Sequence, residues 1–174
     1  MPSSQDGPQK NRTIVPTSYD CGVALDLYAE LRRVVEALDS AGIPYALAGG
    51  LAVAIYATPR ATEDIDLLLA REHLGLAIAR LERLGFRPAG VPMRVAGGRL
   101  DIQRLIKIEG SDLLPVDLML PSDPELDGIL SDRRGIEWEG QPIWVVSATG
   151  LRRLKRLRGS AQDVADLEAL GPEP

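Results

Sequence analysis

Residues 48–67 read AGGLAVAIYATPRATEDIDL, and this stretch decides the fold that we expect. An apolar run over 45–48 predicts a short buried strand, which ends in a turn at Gly49 and Gly50. The apolar residues 51–57 then predict a short helix. Such a turn exposes backbone N–H groups at a helix N-terminus, where a phosphate can approach closely because glycine has no side chain. The same glycines are also compatible with a plain tight turn.

Asp64 and Asp66 stand at the end of the same stretch, on a second strand predicted over 64–69. Alternate residues of a strand share a face, so both carboxylates should point the same way, about 7 Å apart by strand rise. Two carboxylates this close repel each other unless a cation or solvent screens them. Their oxygens suit Mg²⁺ or Mn²⁺ held together with substrate phosphates. The spacing alone also fits a strand whose polar face meets water.

The rest of the chain first alternates helix and strand patterns and then clusters its strands. This order predicts an α/β (α+β) class with a mixed β-sheet. Apolar spacing and caps predict helices over 23–41, 72–84, 123–131, 147–158 and 161–170. Strands are expected over 101–108 and 113–120, with two more within 136–146 and a strand or loop over 90–98.

Length and composition limit the classes of protein that the chain can belong to. A chain of 174 residues supports one core, so we expect a single domain over 21–174, with a helical part over 147–170, after a disordered polar tail over 1–20. The net charge of −5 argues against a general nucleic-acid binder. One cysteine and one histidine exclude an internal disulfide and a structural zinc site, which fits the cytoplasm. We expect no membrane-spanning segment.

A third carboxylate has two candidates on the predicted strands of the second half. Asp117 is a lone charge in the apolar run Pro115 to Leu120, and a buried charge is costly unless it is paired or bound to a metal. Asp101 is the rival, at a strand start beside a glycine turn, where an exposed aspartate needs no explanation. We therefore favour Asp117.

Residues 151–158 read LRRLKRLR and predict an amphipathic helix. Leu151, Leu154 and Leu157 form one apolar stripe, and five cations cover the other sides. One interpretation is an ordinary helix with a solvated basic face, suited to the helix dipole near its C-terminus. Another places one or two of these cations on phosphates, or makes the face a patch for RNA.

The glycine turn, the short helix and the Asp-x-Asp strand together resemble the nucleotidyltransferase superfamily, whose fold is shared with polymerase beta. Its signature is a Gly-Gly or Gly-Ser turn, an Asp-x-Asp or Glu-x-Asp pair and a third Asp on a later strand. Residues 48–67 look most like the small toxin-type (AbiEii-like) branch of abortive-infection and toxin–antitoxin systems. The similarity is clearest over 45–70. The resemblance implies a mixed sheet flanked by helices, with further helices at the C-terminus.

The resemblance also implies roles for individual residues. The catalytic and metal-binding residues would be Asp64, Asp66 and Asp117, with Mg²⁺ or Mn²⁺ as cofactor. The nucleotide, ATP or another NTP, would contact Gly49, Gly50, Arg60, Thr62 and Lys155. Lys155 is included because Lys-x-x-Arg followed by Asp163-x-x-Asp166 resembles the C-terminal portion of the toxin-type branch.

The implied activity is transfer of a nucleoside monophosphate to an acceptor hydroxyl on RNA, such as tRNA, or on protein. Such an enzyme could be the toxin of a system with a cognate antitoxin. Three alternatives stay open at this point. They are an aminoglycoside-type adenylyltransferase, a catalytically silent nucleotide-binding module, and a plain interaction protein that uses the basic helix as its interface.

Overall fold

The structure is a computed structural model that describes residues 25–58 and 61–172. The predicted tail over 1–20 lies outside the described residues, as does Arg60. The helices are α1 (Leu27–Ser40), α2 (Gly49–Tyr56), α3 (Leu74–Arg83), α4 (Asp127–Ser131), α5 (Ala148–Arg158) and α6 (Ala161–Leu170). The strands are β1 (Tyr45–Leu47), β2 (Ile65–Leu69), β3 (Arg87–Pro88), β4 (Met93–Val95), β5 (Leu100–Glu109), β6 (Asp112–Pro121), β7 (Arg134–Trp138) and β8 (Gln141–Val145).

The described strands form one mixed sheet in the order β3, β5, β6, β2, β1, β8, β7, with β4 also paired to β5. The pairs β2–β6 and β1–β8 are parallel, and the other pairs are antiparallel. The predicted fold class, a mixed sheet flanked by helices, is confirmed. The two central strands β1 and β2 are buried along their whole length, which explains their nearly continuous apolar sequences.

Local capping explains where the helices begin and end. The Asp26 carboxylate accepts hydrogen bonds from the backbone N–H groups of Tyr28 and Ala29, at 2.8 and 2.9 Å, at the start of α1. Ser147 caps α5 through the N–H of Gly150. Helix α5 ends before Gly159, whose φ of 64° is the left-handed conformation that glycine adopts most easily.

Helices α1 and α4 begin four residues later than predicted, at Leu27 and Asp127, and two boundaries near the glycine turn differ by one or two residues. Helix α2 begins at Gly49 rather than at Leu51, so the glycines form its first turn instead of a turn before it. Strand β2 begins at Ile65, so Asp64 is the residue before the strand. The described part of the chain has no helix long and apolar enough to cross a membrane.

Strand register brings distant parts of the sequence together. In the parallel pair β2–β6, Asp66 is the register partner of Asp117. In the antiparallel pair β5–β6, Asp117 is in turn opposite Arg104. Three charged residues from three neighbouring strands therefore lie side by side across the middle of a largely apolar sheet.

Candidate active site

Asp64, Asp66 and Asp117 form one carboxylate cluster, which we call the aspartate triad. One carboxylate oxygen from each residue lies within 4.8 Å of those of the other two. Asp66 and Asp117 are only 5% and 4% exposed, whereas Asp64, the residue before β2, is partly exposed. The structure thus brings together the three residues that the sequence singled out, although their role as metal ligands stays a prediction.

Gly49 packs directly against the triad. Its φ is 60°, and a Cβ there would lie 2.7 Å from the Cβ of Asp66 and overlap the carboxyl group. The backbone N–H of Ala48 also donates a hydrogen bond of 2.8 Å to the carbonyl of Asp66. Glycine is needed here for both its conformation and its lack of a side chain. Residues 48 and 49 therefore hold Asp66 in place. This packing requires glycine at position 49, independently of the predicted phosphate contact.

The electrostatics of the triad fit a bound cation. Burial raises the pKa of Asp66 to about 7, and the negative charges of Asp64 and Asp117 add to the rise. A carboxylate in this position is hard to keep ionised without nearby positive charge. Three hard oxygen donors that converge in this way match the ligands that Mg²⁺ and Mn²⁺ prefer. The residues present therefore fit a divalent cation.

The remaining predicted nucleotide contacts are placed near the triad where they are described. Thr62 donates a hydrogen bond of 2.8 Å from its hydroxyl to Oδ1 of Asp64, so its side chain orients a carboxylate. Gly50 lines the cleft above the triad. Arg60 is not among the described residues. Contacts of these residues with phosphate stay a prediction.

Arg104 is a member of the site that the sequence analysis missed. Its Nε and Nη2 atoms donate hydrogen bonds of 2.8 and 2.7 Å to Oδ1 and Oδ2 of Asp117. The hydrogen bond to Asp117 is the main cause that raises the pKa of Arg104, and the charges of Asp64 and Asp66 contribute. Finding this pair required the β5–β6 register, which a single sequence does not provide.

Lys155 lies at the wall of the cleft, but it is 4% exposed and already paired. Its ammonium group is 3.0 Å from Oδ1 of Asp163 and 2.7 Å from Oδ2 of Asp166, both on α6. Burial acts to raise the pKa of Asp163, yet hydrogen bonds from Ser160 and Lys155 lower it below its usual value. The Asp163 and Asp166 carboxylates thus fix the position of the Lys155 cation beside the triad.

The expectation that five cations of α5 cover an exposed basic face was wrong for Arg152 and Lys155. Arg152 is 5% exposed, and its guanidinium donates a hydrogen bond of 2.7 Å to the carbonyl of Leu170 at the end of α6. The charges of Arg152 and Lys155 are both paired inside the protein, because α6 packs on this side of α5. Arg153, Arg156 and Arg158 are exposed.

The expectation that Asp101 is exposed was also wrong. Asp101 is 7% exposed, and its Oδ2 accepts a hydrogen bond of 2.7 Å from Arg71. This bond, together with the charges of Arg71 and Arg94, holds the pKa of Asp101 below its usual value. Among the described residues, the metal-type carboxylate cluster includes Asp117 and not Asp101.

Asp64 and Asp66 of the triad line a cleft of about 450 Å³ that carries both signs of charge. Its positive side chains come from β5 and α5, and its negative ones come from β2, the two residues before it, and α6. The lining residues that carry charge are Glu63, Asp64, Asp66, Arg104, Lys155, Arg158 and Asp163. Such a cleft can hold an anionic ligand and a cation together.

Comparisons with known proteins give similarity in structure but not in sequence. No family model and no curated protein sequence matches the chain. The antibiotic-resistance protein ANT(2'')-Ia, in complex with adenylyl-2''-tobramycin, superposes with a TM-score of 0.56 at 18% identity, over 82% of this chain and 86% of that one. The chain has the nucleotidyltransferase fold.

Two further solved structures share this nucleotidyltransferase fold. The lincosamide antibiotic adenylyltransferase LnuA, with lincomycin bound, gives a TM-score of 0.57 at 18% identity, over 82% of this chain and 94% of that one. The Thermotoga maritima protein TM1012, described as a nucleotidyltransferase, gives 0.59 at 15% identity, over 81% and 89%. These likenesses extend over most of each chain, so they concern the whole fold.

Proposed function

We propose that the chain is a metal-dependent nucleotidyltransferase that moves a nucleoside monophosphate from an NTP to an acceptor hydroxyl. The observation that carries the proposal is the cluster of Asp64, Asp66 and Asp117 beside a cleft. Asp64, Asp66, Arg104 and Lys155 line this cleft. The nucleotidyltransferase fold supports it, because the fold neighbours include two antibiotic adenylyltransferases.

In this proposal Asp64, Asp66 and Asp117 hold Mg²⁺ or Mn²⁺. The bound cation would supply positive charge that polarises the triphosphate and favours ionisation of the acceptor hydroxyl. Lys155 adds a fixed positive charge at the cleft wall, which favours the negative charge that develops on the leaving group.

The backbone N–H groups of Gly49 and Gly50 would bind the terminal phosphates at the start of α2. Arg60 and Thr62 are proposed as further nucleotide contacts. In the reaction the acceptor oxygen bonds to the α-phosphorus, the bond from that phosphorus to the bridging oxygen of the β-phosphate breaks, and pyrophosphate leaves. The hydroxyl proton is released.

For the acceptor, we propose a hydroxyl of RNA, such as tRNA, or of protein, as in the toxin of a toxin–antitoxin pair with a cognate antitoxin. The support for this is the resemblance of residues 48–67 to the toxin-type branch. A second candidate is an antibiotic acceptor, which is supported by the fold shared with ANT(2'')-Ia and LnuA. A silent nucleotide-binding module is less well supported because all three aspartates are present.

The test is incubation of the full chain with each α-³²P-labelled NTP and Mg²⁺, against separate pools of tRNA, protein and aminoglycosides. We expect label on one class of acceptor with wild type and none with Asp66→Ala. Labelled RNA or protein would support the toxin-type assignment, and labelled aminoglycoside the second candidate. Nucleotide binding without transfer to any acceptor would instead favour the silent module.

A further inference from the structure

Arg104 occupies the oxygens of Asp117 that a metal ion would need. Both carboxylate oxygens accept hydrogen bonds from the one guanidinium, at 2.8 and 2.7 Å. Asp117 nevertheless belongs to the carboxylate cluster with Asp64 and Asp66. The guanidinium of Arg104 is therefore the counter-ion of the Asp117 carboxylate.

The guanidinium and a metal ion compete for Asp117. Arg104 cannot leave by losing a proton, because an arginine side chain stays charged at any ordinary pH. While the guanidinium stays, it takes one lone pair of each Asp117 oxygen and repels any cation that approaches the others, so a metal ion binds Asp117 well only after Arg104 has moved away. Arg104 is able to move: its side chain is 40% exposed, and it lines the cleft rather than the core. The planar fork that fits a carboxylate fits a phosphate equally well.

We propose that Arg104 is a removable counter-ion, which keeps Asp117 closed to cations until the phosphates of a nucleotide draw the guanidinium into the cleft. This inference rests on the proposed function, since a nucleotide is what displaces the arginine. It implies an order in which the carboxylates become available to cations. Asp64 and Asp66 are open to a cation from the start, whereas Asp117 becomes available only when a nucleotide is present.

The first test measures Mn²⁺ affinity without nucleotide, from the electron paramagnetic resonance signal of free Mn²⁺, on the full chain. We expect Arg104→Gln to bind Mn²⁺ at least about tenfold more tightly than wild type, because a charge-assisted bidentate pair no longer competes. Arg71→Gln is the matched control, since it removes an arginine from the buried carboxylate of Asp101, outside the triad. The control should bind Mn²⁺ like wild type.

The second test measures binding of α,β-methylene NTP analogues in EDTA by calorimetry. Arg104→Gln should bind the preferred analogue about tenfold more weakly than wild type, because one phosphate contact is lost, and Arg71→Gln should not differ from wild type. Equal analogue affinity in wild type and Arg104→Gln would overturn the movement of Arg104 to the phosphates.

Equal Mn²⁺ affinity in wild type and Arg104→Gln, or no Mn²⁺ binding by either, would overturn the counter-ion role. Thermal melts establish that each variant is folded, and Arg104→Lys, which keeps the charge but loses the fork, replaces Arg104→Gln if the latter does not fold. Arg104→Lys should lie between wild type and Arg104→Gln in Mn²⁺ affinity. The Mn²⁺ arm involves no transfer, so failure of the proposed reaction and failure of this inference give different results.

Discussion

Asp117 and Asp101 lie on the two paired strands β6 and β5, and both are buried against an arginine. They differ in the other charges around them. Asp117 shares its surroundings with the carboxylates of Asp64 and Asp66, whereas Asp101 is surrounded by the guanidinium groups of Arg71 and Arg94. Burial of the carboxylate therefore does not distinguish the two residues, whereas the charges around it do.

The largest expected effect would separate the two residues by activity. Asp117→Asn should reduce nucleotidyl transfer by about 10³-fold, since removal of even an outer partner of a metal ligand costs up to about 10²-fold. Asp101→Asn should stay within about threefold of wild type, because its neighbours are outside the triad. Single-turnover assays with Mg²⁺ and the preferred NTP measure both. The opposite ranking would assign the third carboxylate to Asp101.

The next test concerns Lys155 and its partners Asp163 and Asp166, which are much less exposed than Arg104 or Arg71. Lys155→Met should lower the free energy of unfolding by about 3 kcal/mol, since Asp163 and Asp166 would remain buried without their cation. Arg153→Met, at an exposed position of the same helix, should change it by less than about 0.5 kcal/mol. Urea denaturation in EDTA compares them. Similar losses would show that the burial of Lys155 has no energetic consequence.

Without metal, Asp101→Asn should lose more stability than Asp117→Asn, although Asp117→Asn loses more activity. Asp101→Asn should destabilise the chain by about 1 kcal/mol, because it weakens the pairs to Arg71 and Arg94, whose exposed side chains limit the loss. Asp117→Asn also loses a pair, but it relieves repulsion within the triad, so its net change should be smaller. Urea denaturation in EDTA at pH 7 measures both. A larger loss in Asp117→Asn would mean that Arg104 outweighs the repulsion.

The smallest effect is a pH dependence at Asp101. The pKa of Asp101 is lower in the folded protein than its usual 3.8, because Arg71 donates a hydrogen bond to the carboxylate. The folded state is therefore stabilised above about pH 4, and this contribution is lost as the pH falls through the folded pKa. The stability difference between wild type and Asp101→Asn should shrink from pH 6 to pH 3. A constant difference would contradict the role of the charge.

The sequence was sufficient where the signal is local. The glycines, the short helix and the Asp-x-Asp pair lie within 20 consecutive residues, so periodicity and turn chemistry predicted their order, with α2 and β2 displaced by at most two residues. The choice of Asp117 followed from its apolar neighbours along β6, which predicts burial directly.

The sequence was insufficient where a charge is balanced by a residue from another element. Arg104 pairs with Asp117 across strands, and Arg71 reaches Asp101 from a turn 30 positions earlier. On α5 the positions of Arg152 and Lys155 looked solvated because α6, which covers them, is not visible in the pattern of α5 alone. Charge pairing over such distances needs the tertiary structure.

The parallel pairing of β2 with β6 has a consequence for how the protein folds. Asp66 and Asp117 are 51 positions apart, and the chain between them forms α3 and strands β3 to β5. Contacts of such long sequence separation form slowly, because the intervening chain must first be ordered. The two halves of the triad also repel each other as they meet. Metal binding that uses Asp117, measured in the presence of a nucleotide, should therefore appear only in the last stage of refolding, after most helical structure has returned.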